Sequence, residues 1–106
     1  MTTISTENTY LTLINIFTVS PANQQKLIDL LIQATETVRK APGFVSSSLH
    51  AALDGTKVTM YAQWKSLDDY NKMRNNPAAS PFLVEAMKIA SFEPGMYKVV
   101  ATFLPD

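Results

Sequence analysis

The sequence predicts an α+β fold of ferredoxin-like βαββαβ order: a four-stranded antiparallel sheet with its helices packed on one face. Three observations carry this expectation. Asp54-Gly55 lies between two strand-like runs, and a tight turn there makes them a hairpin, because Gly supplies positive φ without steric cost. Ser20-Pro21 and Ser66 each follow a strand-like run and open a stretch with apolar residues at helical spacing. Pro42-Gly43 and Pro94-Gly95 then turn the chain from helix back toward strand.

Taken in order, residues 1–8 are polar and rich in Thr and Ser, which predicts a flexible N-terminal arm ahead of a single domain at residues 9–106. Thr9 to Val19 alternates as a strand. Leu11, Leu13, Asn15, Phe17 and Val19 share one face; Tyr10, Thr12, Ile14, Ile16 and Thr18 share the other. Both faces carry apolar residues, so both are expected to be covered. Ser20 caps a helix that runs to about Lys40 with Leu27, Leu30, Leu31, Ala34 and Val38 as its stripe. Phe44 to Leu53 is the second strand. Val58 to Trp64, β-branched and aromatic, is the third. Ser66 caps a second helix with Asp68 and Asp69 in its first turn, where the helix dipole favours negative charge. Asn76-Pro77 breaks that helix near its end, Ser80-Pro81 restarts it, and Met96 to Leu104 is the last strand. The helices cover one sheet face only, yet Ile14, Ile16 and Tyr61 lie on the other. A second sheet from an identical subunit is the most economical cover, which predicts a homodimer.

Composition removes several function classes. The 106 residues are 46% apolar and 17% charged, with nine basic and nine acidic side chains that cancel. A nucleic-acid partner would demand a basic patch, and a membrane anchor a polybasic or long apolar run; neither is present. With no Cys and one His, disulfides, thiol chemistry and a dedicated metal centre are not expected. The chain reads as soluble and cytoplasmic.

What remains is a few polar side chains set among apolar ones. Asn15 shares the helix-facing side with Leu13 and Phe17; its amide either satisfies a backbone group or is aimed at a ligand oxygen. Trp64 is either core or the wall of a pocket, and Tyr70 either packs with its hydroxyl at a rim or directs it inward. His50 depends on the hairpin. A two-residue turn at Asp54-Gly55 pairs it with Thr59 on the outer face, whereas a three-residue loop with a bulge pairs it with Val58 on the side of Met60 and Trp64. A cavity lined by Phe17, Met60, Trp64, Phe82 and Met87, with Asn15 and Tyr70 as its polar groups, suits a flat aromatic ligand.

Several stretches together resemble one family. They are the first strand ending in Ser20-Pro21, the entry Ala41-Pro42-Gly43-Phe44, and Leu49-His50-Ala51-Ala52-Leu53-Asp54-Gly55-Thr56 through Tyr61-Ala62-Gln63-Trp64-Lys65-Ser66. Over about residues 10 to 104 the chain is similar to the antibiotic biosynthesis monooxygenase family of dimeric α+β barrels. It looks most like members that oxidise phenolic polyketides to quinones with O2 and no cofactor. The resemblance implies catalytic roles for Asn15 and Trp64 and substrate contacts for His50 and Tyr70. Many quinone-forming members carry Asn where Met60 stands, and some carry Arg where this chain has Leu83-Val84. A haem-degrading branch needs an axial His where Met87 stands, so haem is not expected. The function implied is oxidation of an anthrone- or naphthacenone-type phenol. The alternative is a non-catalytic binding protein for an aromatic metabolite.

Overall fold

The structure, a computed structural model, describes all 106 residues of the chain, the side chains of residues 79 and 80 excepted. Strand β1 (Leu11–Val19) leads through a short 3-10 turn at Pro21–Asn23 into helix α1 (Gln24–Val38). Strands β2 (Phe44–Ala51) and β3 (Lys57–Trp64) form the hairpin, and helices α2 (Leu67–Arg74) and α3 (Ser80–Met87) follow. The chain closes with β4 (Ala90–Glu93) and the two-residue β5 (Met96–Tyr97). The order across the sheet is β2-β3-β1-β4, with β5 also on β1, and every pairing is antiparallel. This is the ferredoxin-like order, with β1 and β3 adjacent at the centre. No helix is long and apolar enough to cross a membrane.

The sheet buries its helix-facing side in two patches rather than one. Phe17, Val19 and Val58 meet Leu27 and Leu31 of α1 and Ala86 of α3 at one end. Leu13, Ala62 and Trp64 form the other patch, with Val38, Tyr70 and Met73 packed against it. Between the patches the register sets Asn15 opposite Met60. A polar amide and a flexible thioether therefore occupy the row where the core would otherwise run through. Above that row the helix layer is broken at Asn76-Pro77: α2 packs over the Trp64 patch and α3 over the Phe17 patch. The cavity lies under the break.

Several boundaries differ from the sequence expectation. Ser20 stands before the 3-10 turn but its side chain makes no capping bond, and α1 proper begins at Gln24 and ends at Val38, short of Lys40. Strand β2 stops at Ala51, before the expected Leu53. The last strand was expected at Met96 to Leu104; it starts at Ala90 instead, bends at Pro94-Gly95 and leaves the sheet after Tyr97. Pro94 has no N–H to give the ladder. Beyond Tyr97, paired with Thr12, only Leu11 of β1 remains. The arm at residues 1–8 has no regular structure but lies on the outer face, where Gln63 Nε2 donates to the Thr3 carbonyl at 2.7 Å and Thr2 Oγ1 to Ser46 Oγ at 3.1 Å.

The hairpin loop is longer than two residues. Ala52 N–H bonds Lys57 C=O, and Gly55 N–H bonds Ala52 C=O with Gly55 at φ 82°. The hydroxyl and amide of Thr56 donate to Asp54 Oδ1 at 2.6 and 2.9 Å and hold that carboxyl below its ordinary range. The parity equals that of the two-residue turn, so His50 pairs with Thr59 and faces outward.

Candidate active site

The cavity under the helix break has a volume of about 360 Å³. Its floor is the helix-facing side of the sheet: Leu13, Asn15 and Phe17 from β1, Met60, Ala62 and Trp64 from β3, and Phe44 and Ser47 from β2. Ala34, Thr35 and Val38 of α1 form one wall. Tyr70, Met73, Arg74 and Asn76 from α2 and its exit, with Leu83 and Met87 of α3, form the other. Aliphatic and aromatic groups dominate, with few polar groups among them, the form common to small-molecule sites.

Each end of the floor is aromatic. Trp64, 1% exposed, is met edge-on by Phe44 at 5.4 Å between ring centroids and by Tyr70 at 5.8 Å. Phe44 reaches it because a bulge between Phe44 and Ser46 shifts the register, so Phe44 pairs with Trp64 while Ser47 and Leu49 keep the same face. At the other end Phe17 stacks on Phe92 at 4.8 Å. Asn15 stands between these ends, and Trp64 pairs with Leu11, four residues along β1. That spacing corresponds to roughly 14 Å between the Cα atoms of Asn15 and Trp64. A fused-ring plane is long enough to touch both side chains.

Among the described residues, two polar atoms of this lining are sealed from solvent without a protein partner: Asn15 Oδ1 and Ser47 Oγ. Most buried polar groups are paired, and an orphan costs about 1–3 kcal/mol. Ser47 stands on the edge strand, in a wall the cavity shares with the hollow beneath the N-terminal arm. Among the described residues no group of three or more His, Cys, Asp or Glu is placed to hold a metal ion.

Six of the residues singled out in the sequence come together here: Asn15, Trp64, Tyr70, Phe17, Met60 and Met87. Two do not. His50 lies on the outer face, exposed, with its Nε2 2.9 Å from Ser48 Oγ. Phe82 stands outside the lining, where its neighbour Leu83 takes the place expected of it. Ser47 and Arg74 are lining groups that sequence reasoning passed over. Ser47 sits in the run Ser46-Ser47-Ser48, where only a fixed register tells the inward hydroxyl from the outward ones. Arg74 was legible only as a cation in the last turn of a helix.

The profile of the family described as antibiotic biosynthesis monooxygenase matches residues 10–83. The tetracenomycin-F1 monooxygenase of Streptomyces glaucescens is 38% identical over 104 residues, covering 97% of this chain and 93% of that protein. The chain belongs to the antibiotic biosynthesis monooxygenase family. Solved structures of similar fold include the ActVA-Orf6 monooxygenase of Streptomyces coelicolor in complex with nanaomycin D. It is 28% identical, with a TM-score of 0.79 over 92% of this chain and 93% of that one. SnoaB of Streptomyces nogalater, a cofactor-independent oxygenase, shares the fold at 22% identity, with a TM-score of 0.76 over 92% and 98% of the two chains.

Proposed function

We propose that this family member is a cofactor-independent monooxygenase that uses O2 to convert a fused-ring phenolic polyketide, of the anthrone or naphthacenone kind, into a quinone. The observation that carries the reading is Asn15, a buried amide on the floor of an aromatic-ended cavity, whose oxygen has no partner among the described residues. The similarity to tetracenomycin-F1 monooxygenase and the nanaomycin D bound to the ActVA-Orf6 protein support a polyketide-sized aromatic ligand.

The chemistry needs little from the protein beyond placement. A proton leaves the ring CH2 para to the carbonyl, giving an electron-rich enolate. That anion passes one electron to O2, and the two radicals combine into a carbon-bound peroxide. Loss of water leaves the second quinone carbonyl, so CH2 and O2 become C=O and H2O with all electrons drawn from the substrate. Asn15 lines the floor of the cavity, where its amide N–H can donate to the developing oxyanion. Trp64 and Phe44 wall one end of the ring system, and Tyr70 presents a hydroxyl to it. The largely apolar lining limits the water around the reactive anion. Met60, opposite Asn15, occupies the place where many quinone-forming relatives carry a further Asn, so Asn15 is the amide left in that pair here. His50 faces the wrong side of the sheet to serve this cavity within one chain.

The family's dimeric assembly is proposed here too. Ile14, Ile16 and Tyr61 stand half-buried on the outer face, apolar groups that a second sheet would cover. O2 uptake with an anthrone in metal-free buffer, followed with quinone absorbance, tests the oxidation. Stoichiometric uptake and quinone formation are expected. Tight binding of the anthrone with no uptake would instead identify a carrier of aromatic metabolites.

A further inference from the structure

Among the described residues, one side chain that walls the cavity carries a charge, and it is Arg74, the last residue of α2. No carboxylate among those residues lines the cavity with it. Arg39, Lys72 and Lys88 each pair with a carboxylate one turn away, to Glu36, Asp68 and Glu85. Arg74 makes no such pair among the described residues; its guanidinium carbon lies 5.9 Å from the centroid of the Tyr70 ring. The negative face of that ring braces the cation beside the cavity mouth. A cation at the C-terminal end of α2 is also favoured by the helix dipole, which accounts for its place on the helix and asks for no contact with the cavity.

We propose that Arg74 selects the ionised form of the substrate: its guanidinium lies against a phenolate or enolate oxygen at the mouth of the cavity and holds the ligand as an anion. This rests on reading the cavity as the site of a fused-ring phenol, and adds to it a residue and a charge state. An opposite charge within a few ångströms favours the charged form of a phenol, and the proton it releases goes to water. Guanidinium suits this task because it stays charged and binds oxyanions through a planar fork of donors. Arg74 is exposed, so solvent screens the effect, and the expected shift is roughly half to one pH unit.

The test uses a dihydroxyanthraquinone, whose visible absorption changes when a hydroxyl ionises, bound to the wild-type chain, Arg74→Lys and Arg74→Gln. The bound dye is expected to ionise at lower pH on wild type than free in buffer. Arg74→Gln should move that transition up by roughly half to one pH unit, and Arg74→Lys should keep most of the wild-type value. Raising the salt should shrink the difference. A purely structural Arg74 would change thermal stability and leave the dye's transition alone. The same transition in wild type and Arg74→Gln, equal loss in both variants, or no uptake of the dye by wild type would each overturn the proposal. The readout needs no turnover. A chain that shifts the dye but consumes no O2 with an anthrone would sink the oxidation and leave the role of Arg74 standing.

Discussion

Asn15 and Ser47 hold buried oxygens that no described residue satisfies, at a cost of about 1–3 kcal/mol each. If the Asn15 amide acts on charge that develops during reaction, Asn15→Ala should slow quinone formation by roughly 10²–10³-fold with little change in substrate affinity. Trp64→Phe should do less damage than Trp64→Ala, since it keeps a ring against Phe44 and Tyr70. Single-turnover oxidation at saturating substrate, with melting temperature measured alongside, separates these effects. Normal turnover by Asn15→Ala would end the catalytic assignment. Ser47→Ala should not lower the melting temperature, and should raise stability by up to about 1 kcal/mol, because it deletes an orphan hydroxyl; a clear drop would mean that Ser47 has a structural partner. Asn15 and Trp64 were readable from sequence because strand alternation fixes their face. Phe82 was not, because one residue on a helix turns a side chain through about 100° and the start of α3 decides which neighbour looks inward.

Helix α2 carries Tyr70, Met73 and Arg74 into the cavity, and its N-terminus is its anchor. Ser66 Oγ accepts from Asp69 N–H at 3.1 Å, and Gly43, at φ 86°, lies so close to the Asp69 side chain that a Cβ there would collide with it. Ser66→Ala is expected to cost about 1 kcal/mol, or roughly 4–8 °C in melting temperature for a domain of this size, and Ser66→Thr to restore most of it. Gly43→Ala should cost more, since it meets both the backbone restriction and the Asp69 collision. A Gly43→Ala chain that melts with wild type would show that α2 is not seated through this contact. Acid should loosen the hairpin loop: the folded pKa of Asp54 is depressed, so its contribution is complete above the unfolded value of about 4 and fades as pH falls through the lower folded one. The Ser66 cap and the break at Asn76-Pro77 stood plainly in the sequence, because both are local chemistry. The face of His50 did not, because Asp54-Gly55 permits loops of either parity, and the bonds Ala52 N–H to Lys57 C=O and Gly55 N–H to Ala52 C=O decide it.

The whole molecule departs from a compact sphere in one respect. Its Cα radius of gyration is 14.3 Å, against roughly 13 Å expected for a chain of this length. The segment after Tyr97 joins no sheet, and Val100, Phe103 and Leu104 are 79%, 90% and 91% exposed. Apolar side chains in sequence on an extended segment are costly to leave in water, at roughly 25 cal/mol for each Å² that burial would cover. The outer sheet face poses the complementary problem, with Ile14, Ile16 and Tyr61 half-buried on it. A second copy related by a two-fold axis meets both needs at once, since each chain then offers the same sheet face and the same tail to the other. Sedimentation at micromolar concentration should give a mass near twice the 11.7 kDa chain. If a partner covers the tail, a chain ended after Tyr97 should shift toward monomer and melt at lower temperature. A monomeric full-length chain would refute the dimer. A shortened chain that dimerises as tightly as the full one would restrict the interface to the sheet face and leave the tail without a part in it.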